Sequence, residues 1–162
     1  MSNNVSEIIP GLWIGDRRSA SDRMFLSNKK ISIVLNCSTD IPFVDYNRMK
    51  LNIKKVRIKI KTPKSEINDR EISKCNKLFY KYLENTLSFL YENLTIRNNN
   101  VLIYCNTGNI ISVAFATAYL IQYGKITKGG ALKCIRSKRN DAPLNNYFSI
   151  ALSIFEKNVL RK

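Results

Sequence analysis

The chain of 162 residues contains no histidine. That absence removes the usual base for activating a nucleophile and the commonest zinc ligand. Cysteine is scarce as well: Cys37, Cys75, Cys105 and Cys134 make up the set, and no two stand at metal-ligand spacing. Neither a metal nor a cofactor is expected. In a reducing compartment these are free thiols, and Cys37, Cys75 and Cys134 read as small buried hydrophobes. Long apolar runs are missing too. The longest, Ile111 to Ile121, suits a core helix and falls short of a bilayer span. Met1 to Glu7 is polar and lacks the apolar core of a secretion signal. The expectation is a cytosolic or nuclear protein, not secreted. Acidic residues are few, 12 against 27 lysines and arginines, leaving a net charge of +15. The excess favours anionic partners: phosphoproteins, nucleic acid or a membrane surface. It also fits the solvated surface of a chain encoded by AT-rich DNA, since Asn, Lys and Ile abound. No internal repeat, low-complexity linker or block of like charge interrupts the chain. One domain over 1–162 is expected, long enough to bury a core.

What is present reads as strands mixed with helices. Ile8 to Gly15 looks like a turn leading into a short strand. Ser19 to Asn28 is a short helix capped by Ser19 or Ser21. Ile31 to Cys37 is rich in β-formers and reads as a buried strand. From Val56 to Lys61 the pattern alternates: Val56, Ile58 and Ile60 face one way, Arg57, Lys59 and Lys61 the other. That predicts a half-exposed strand with a basic face, broken by Thr62-Pro63. A long helix follows from about Asn68 to Arg97, with Ile72, Cys75, Phe79, Tyr82, Thr86 and Leu90 as its inner face. Asn98 to Asn100 turns the chain into a strand, Val101 to Tyr104. The next helix runs from about Asn109 to Tyr123 and stops at Gly124. Thr127 caps a further helix ending near Arg139. A loop at Asp141-Ala142-Pro143 precedes a last helix from about Asn145 to Leu160. Such a mixture gives an α/β domain around a short sheet.

Four segments occur in a recognisable order: Ile9 to Gly15, Ile33 to Cys37, Val101 to Ser112, and Ala131 through Arg136 and Arg139 to Asn145. Over roughly Ile8 to Glu156 the chain resembles the dual-specificity branch of the protein tyrosine phosphatases. The resemblance implies a compact dual-specificity-phosphatase-like domain, with a central mixed sheet flanked by helices. The composition would suit a virus-encoded member.

By that resemblance, Cys105 matches the nucleophile that attacks phosphorus. Asn106, Thr107, Gly108, Asn109 and Ile110 match the loop whose amides cradle a phosphate- or sulfate-like anion, with Gly108 permitting the tight turn. Ser112 matches the hydroxyl that stabilises the departing thiolate. Three positions depart from the family. Tyr104 stands in place of a histidine that supports the loop. Ile111 stands in place of the arginine that clamps the phosphate and the transition state. Thr62 stands where the general-acid aspartate is expected, with Glu66 or Asp69 as stand-ins if the loop aligns a residue or two away. Lys59, Lys61 and Lys64 either keep the pocket mouth positive or form a solvated face; a lysine is a poor replacement for the planar guanidinium.

The resulting expectation is a catalytically impaired or inactive phosphatase-like protein, a pseudophosphatase, that binds a phosphorylated protein or a partner phosphatase. One alternative is a weak but genuine phosphatase using Cys105. Another, ranked last for want of an aromatic-basic motif, is a nucleic-acid-binding protein. A monomer is expected.

Overall fold

A computed structural model describes residues 4–61, 69–105 and 110–161. Five strands form one sheet: β1 (Ser6–Ile9), β2 (Leu12–Gly15), β3 (Ile31–Asn36), β4 (Lys54–Arg57) and β5 (Asn100–Tyr104). Their spatial order is β1-β2-β5-β3-β4. β1 runs antiparallel to β2, and the other neighbours are parallel. The helices are α1 (Arg23–Asn28), α2 (Asp69–Tyr91), α3 (Ile110–Gly124), α4 (Lys128–Lys138) and α5 (Asn146–Leu160). This is the expected α/β fold, a mixed sheet flanked by helices.

β5 lies at the centre because its residues Val101, Leu102, Ile103 and Tyr104 tolerate burial on both faces. Alternation along the strands sends Ile33, Leu35, Val101 and Ile103 to one side, into a large core with α2, α3, α4 and α5. Val34, Leu102 and Tyr104 go to the other side, into a smaller cluster with Ala20, Leu26, Ile31 and Tyr46. α3 is buried without interruption from Ile111 to Ile121 and forms the axis of the larger layer.

Several elements differ from the expectation. Ile8 and Ile9, expected in a turn, belong to a strand, β1, which closes onto β2 at Gly11 with φ +88°. A side chain at Gly11 would meet Asn100 Oδ1 at 3.1 Å and the Asn99 carbonyl at 3.3 Å, so the turn requires glycine. The caps of the first helix are also different. Ser19–Ser21 is a separate 3-10 turn, and Asp22 caps α1 by accepting the Phe25 amide. The long helix stops at Tyr91 and continues as a π-turn over Glu92–Ile96.

β4 spans Lys54–Arg57, earlier in the chain than the expected Val56 to Lys61. Its ladder ends because β3 ends: Asn36 accepts the Ile58 amide at 2.9 Å, and no further strand residue faces β4. Ile58 and Ile60 are buried and Lys59 and Lys61 exposed, as the alternation predicts, but they lie on the segment after the strand. Arg57 does not belong to an open basic face. It is half-buried, donates to the Ser38 and Ile41 carbonyls at 2.8 and 2.7 Å, and stacks on Phe43. Cys37 and Cys75 are buried, whereas Cys134 is only half-buried. Among the described residues no helix is long and apolar enough to cross a membrane.

Candidate functional site

Parallel sheets gather their functional groups at the carboxyl ends of the strands. Here that edge carries Cys37 after β3, Cys105 after β5 and the first turn of α3. Cys105 is buried. Ser112, in that first turn, donates its hydroxyl to Cys105 Sγ at 3.4 Å and is itself fully buried. The two residues are seven apart in the chain, and the contact joins the end of β5 to the first turn of α3. The first turn of α3, whose amides have no carbonyl partners within the helix itself, brings Ser112 against Cys105.

The other expected site residues are distributed differently. Ile111 packs into the large core at 4% exposure and offers neither donor nor charge. Ile110 is half-buried and packs against that core. Tyr104 is at 1% exposure in the smaller cluster, on the opposite face of the sheet from Cys105. Lys59 and Lys61 stand exposed beyond β4, and Asp69 is exposed at the start of α2. Asn106, Thr107, Gly108 and Asn109 lie outside the described residues, as do Thr62, Lys64 and Glu66. No group of three or more potential metal ligands occurs among the described residues.

Burial pushes the Tyr104 phenol up to about 12; Arg57 and Arg17 pull it back and Cys37 pushes it further. Tyr104 is thus a neutral phenol and supplies no cation. A measurable consequence follows from the sign of the shift. The fold favours the neutral form, while an unfolded tyrosine titrates near about 10. The contribution to stability is complete below about pH 10 and is lost as pH rises towards about 12. Urea midpoints measured across that interval should fall steadily, and Tyr104→Phe should make the fall shallower. Tyr46, raised by burial and by Tyr104, will keep part of the slope.

Three groups at this edge carried too little local signal to be found by sequence reasoning. Asn36 is fully buried; its amide donates to the Ile41 carbonyl and its Oδ1 accepts from the Ser38 amide and hydroxyl at 3.1 and 2.6 Å. It shapes the loop beside Cys105. Arg17, exposed just after β2, lies within electrostatic reach of Tyr104. Arg139 is 3% exposed, at the end of α4. Its guanidinium donates to the Asn4 and Ile14 carbonyls at 3.2 and 3.3 Å, tying α4 to the β1–β2 hairpin. Burial lowers its pKa; Asp141, Asp16 and Cys105 oppose that effect. Only the pairing of arginine with backbone carbonyls distant in sequence reveals it as a structural group.

Comparison with known proteins agrees with this architecture. A family model described as the dual specificity phosphatase catalytic domain matches residues 12–158. A Dictyostelium discoideum protein named as a dual specificity protein phosphatase is 29% identical over 98% of this chain and 66% of its own length. Human dual specificity protein phosphatase 22 is 25% identical over 98% of this chain and 77% of its own length. The chain thus spans just under two thirds of the first relative and more of the second. Among solved structures, human DUSP28 superimposes with a TM-score of 0.80 at 20% identity, covering 98% of this chain and 96% of its own.

Proposed function

The chain belongs to the dual specificity phosphatase family, and we propose that it is a catalytically impaired or inactive member that binds a phosphorylated protein. Ile111 carries this reading. It occupies the arginine position of the family pattern, and its side chain is spent in the core. Removing one electrostatic donor to a transition state costs about 10²–10³ in rate. A missing general acid at Thr62 would cost about 10²–10⁴. The two losses act on one catalytic unit and do not simply multiply.

Binding requires less. The start of α3 provides amide donors for an anion, and Arg17, Lys59 and Lys61 are exposed cations near the carboxyl edge of the sheet. A phosphorylated protein is the partner these groups suit, drawn in by the surplus of positive charge.

The test measures hydrolysis of an aryl phosphate and, separately, calorimetric binding of a tyrosine-phosphorylated peptide. No turnover above the Cys105→Ser protein is expected, together with saturable binding that inorganic phosphate displaces. Clear turnover that depends on Cys105 would sink the inactive reading. Absence of binding at low salt would remove the phosphoprotein.

The Ser112–Cys105 contact at 3.4 Å favours a second reading, a slow but genuine cysteine phosphatase. It predicts a phosphocysteine adduct on prolonged incubation with substrate, absent in Cys105→Ser. An unmodified Cys105 after such incubation excludes it.

A further inference from the structure

β3, β4 and β5 are parallel, so their amino ends share the sheet edge opposite Cys105. Two irregularities of the backbone meet there. β3 carries a bulge: Ile31 pairs with Asn100 and Ile33 with Val101, which leaves Ser32 as an extra residue. Ile31 and Ile33 accordingly enter opposite cores, although residues two apart in a regular strand share a face. The second irregularity is the π-turn Glu92–Ile96, a form that often marks functional sites. Between the bulge and the π-turn lies a cleft of about 390 Å³, within the about 300–1,000 Å³ common for small-molecule sites.

The lining is polar, and much of it is held in place by its own hydrogen bonds. Asn93 donates to the Phe89 carbonyl at 2.9 Å and accepts from the Asn99 side chain at 3.0 Å. The Asn99 backbone amide donates to the Asn93 carbonyl at 2.7 Å. Lys54 stands opposite Ile33 in the β3–β4 ladder, its Nζ 5.1 Å from the Phe89 ring centroid. The ring holds the ammonium without cancelling its charge, and no carboxylate pairs with Lys54 among the described residues. Arg97 spends Nε and Nη2 on one Glu92 oxygen, at 2.9 and 2.6 Å, which leaves Nη1 for another acceptor. Asn52 adds an exposed amide. Ser32, from the bulge, completes the lining. Its Oγ is sealed from solvent and has no hydrogen-bond partner among the described residues. A buried hydroxyl left so is unfavourable, and an oxygen seated at the inner end of the cleft relieves it.

We propose that this cleft binds a small phosphate monoester whose body carries hydroxyl groups. Two cations, Lys54 and Arg97, face one carboxylate, Glu92, so the cleft has a positive surplus and favours an anion. The phosphate oxygens accept from Lys54 and from the outer edge of Arg97, and an oxygen of the ligand accepts from Ser32. The second Glu92 oxygen and the Asn99 side-chain oxygen remain as acceptors, which suits hydroxyl groups on the ester's body. A phosphorylated sugar and the ribose phosphate of a nucleotide share that chemistry. The inference does not rest on the proposed function. Cys105 lies beyond the other end of β5, about 16 Å from Asn100 at about 3.3 Å per residue.

The full-length protein, labelled with nitrogen-15, is titrated with glucose 6-phosphate and, in a second series, with adenosine monophosphate. The expected result is saturable movement of the Ser32, Lys54, Asn93 and Asn99 amide signals with at least one of the two compounds. Lys54→Gln should weaken that binding by about tenfold or more. Lys54 is exposed on the edge strand β4, so this variant keeps the fold. Ser32→Ala separates ligand contact from support. It should weaken binding severalfold and leave the urea midpoint unchanged or raised, whereas loss of a supporting hydroxyl would lower the midpoint. The proposal is overturned if neither compound moves these signals at millimolar concentration. It is also overturned if the movement is confined to α3 and the residues around Cys105, or if Lys54→Gln binds as tightly as the unsubstituted protein.

Discussion

Ile111→Arg is expected to raise Cys105-dependent hydrolysis of an aryl phosphate by about 10²–10³. The substitution places a guanidinium in the first turn of α3, one residue before Ser112, which contacts Cys105. A planar fork with parallel donors suits two phosphate oxygens in a way that the lysines beyond β4 do not. The gain carries a stability cost. Ile111 is 4% exposed and packed in the core, so the longer side chain must turn outward or displace its neighbours. Overpacking of this kind costs about 1–3 kcal/mol. Ile111→Met separates bulk from charge; it should lose some stability and gain no activity. Adding Cys105→Ser to the arginine variant should abolish the gain. A folded Ile111→Arg protein with no increase would show that residues 105–112 do not form a phosphate loop.

Phe79→Ala is expected to destabilise the fold by about 3–5 kcal/mol, measured by urea denaturation near neutral pH. Phe79 is fully buried on α2. Its ring meets Phe115 of α3 at 5.3 Å and Phe148 of α5 at 5.1 Å. Aromatic pairs at such distances contribute beyond their buried area. Removing this ring therefore opens a void where three helices meet, and rings anchored on separate helices cannot close it without moving the backbone. Ile154→Ala is the control. Ile154 is 50% exposed on α5, and its truncation should change stability by no more than about 0.5 kcal/mol. If Phe79→Ala loses less than about 2 kcal/mol, the junction is able to collapse and packs less tightly than its geometry indicates.

The parts of this molecule that could be read in advance are those whose signals are local. Val101 to Tyr104 is apolar at every position and could only be a buried strand. Thr127 and Asn145 announce helices because their side chains cap them, accepting the Gly130 and Phe148 amides. Cys105 and Ser112 are picked out by the family resemblance, and their side chains stand 3.4 Å apart. The features that escaped reading depend on partners far along the chain. Ser6 to Ile9 has no clear alternation and becomes a strand through its pairing with β2. Arg57 and Arg139 look like surface cations in sequence. They are withdrawn by carbonyls at positions 38 and 41, and at positions 4 and 14.

The order β1-β2-β5-β3-β4 has a consequence for synthesis. β2, β3 and β4 are all made by residue 57, but the strand that joins β2 to β3 begins at residue 100. Until β5 emerges, a nascent chain holds two separate strand edges with a gap between them, each with unpaired amides and carbonyls. Pairing across such distances closes slowly, and open edges invite association with other chains. The ribosome therefore presents an incomplete sheet for as long as it takes to add α2 and the π-turn. The sheet can close only once residues 100–104 have been made, so its inner edges stay open over the whole interval before residue 104.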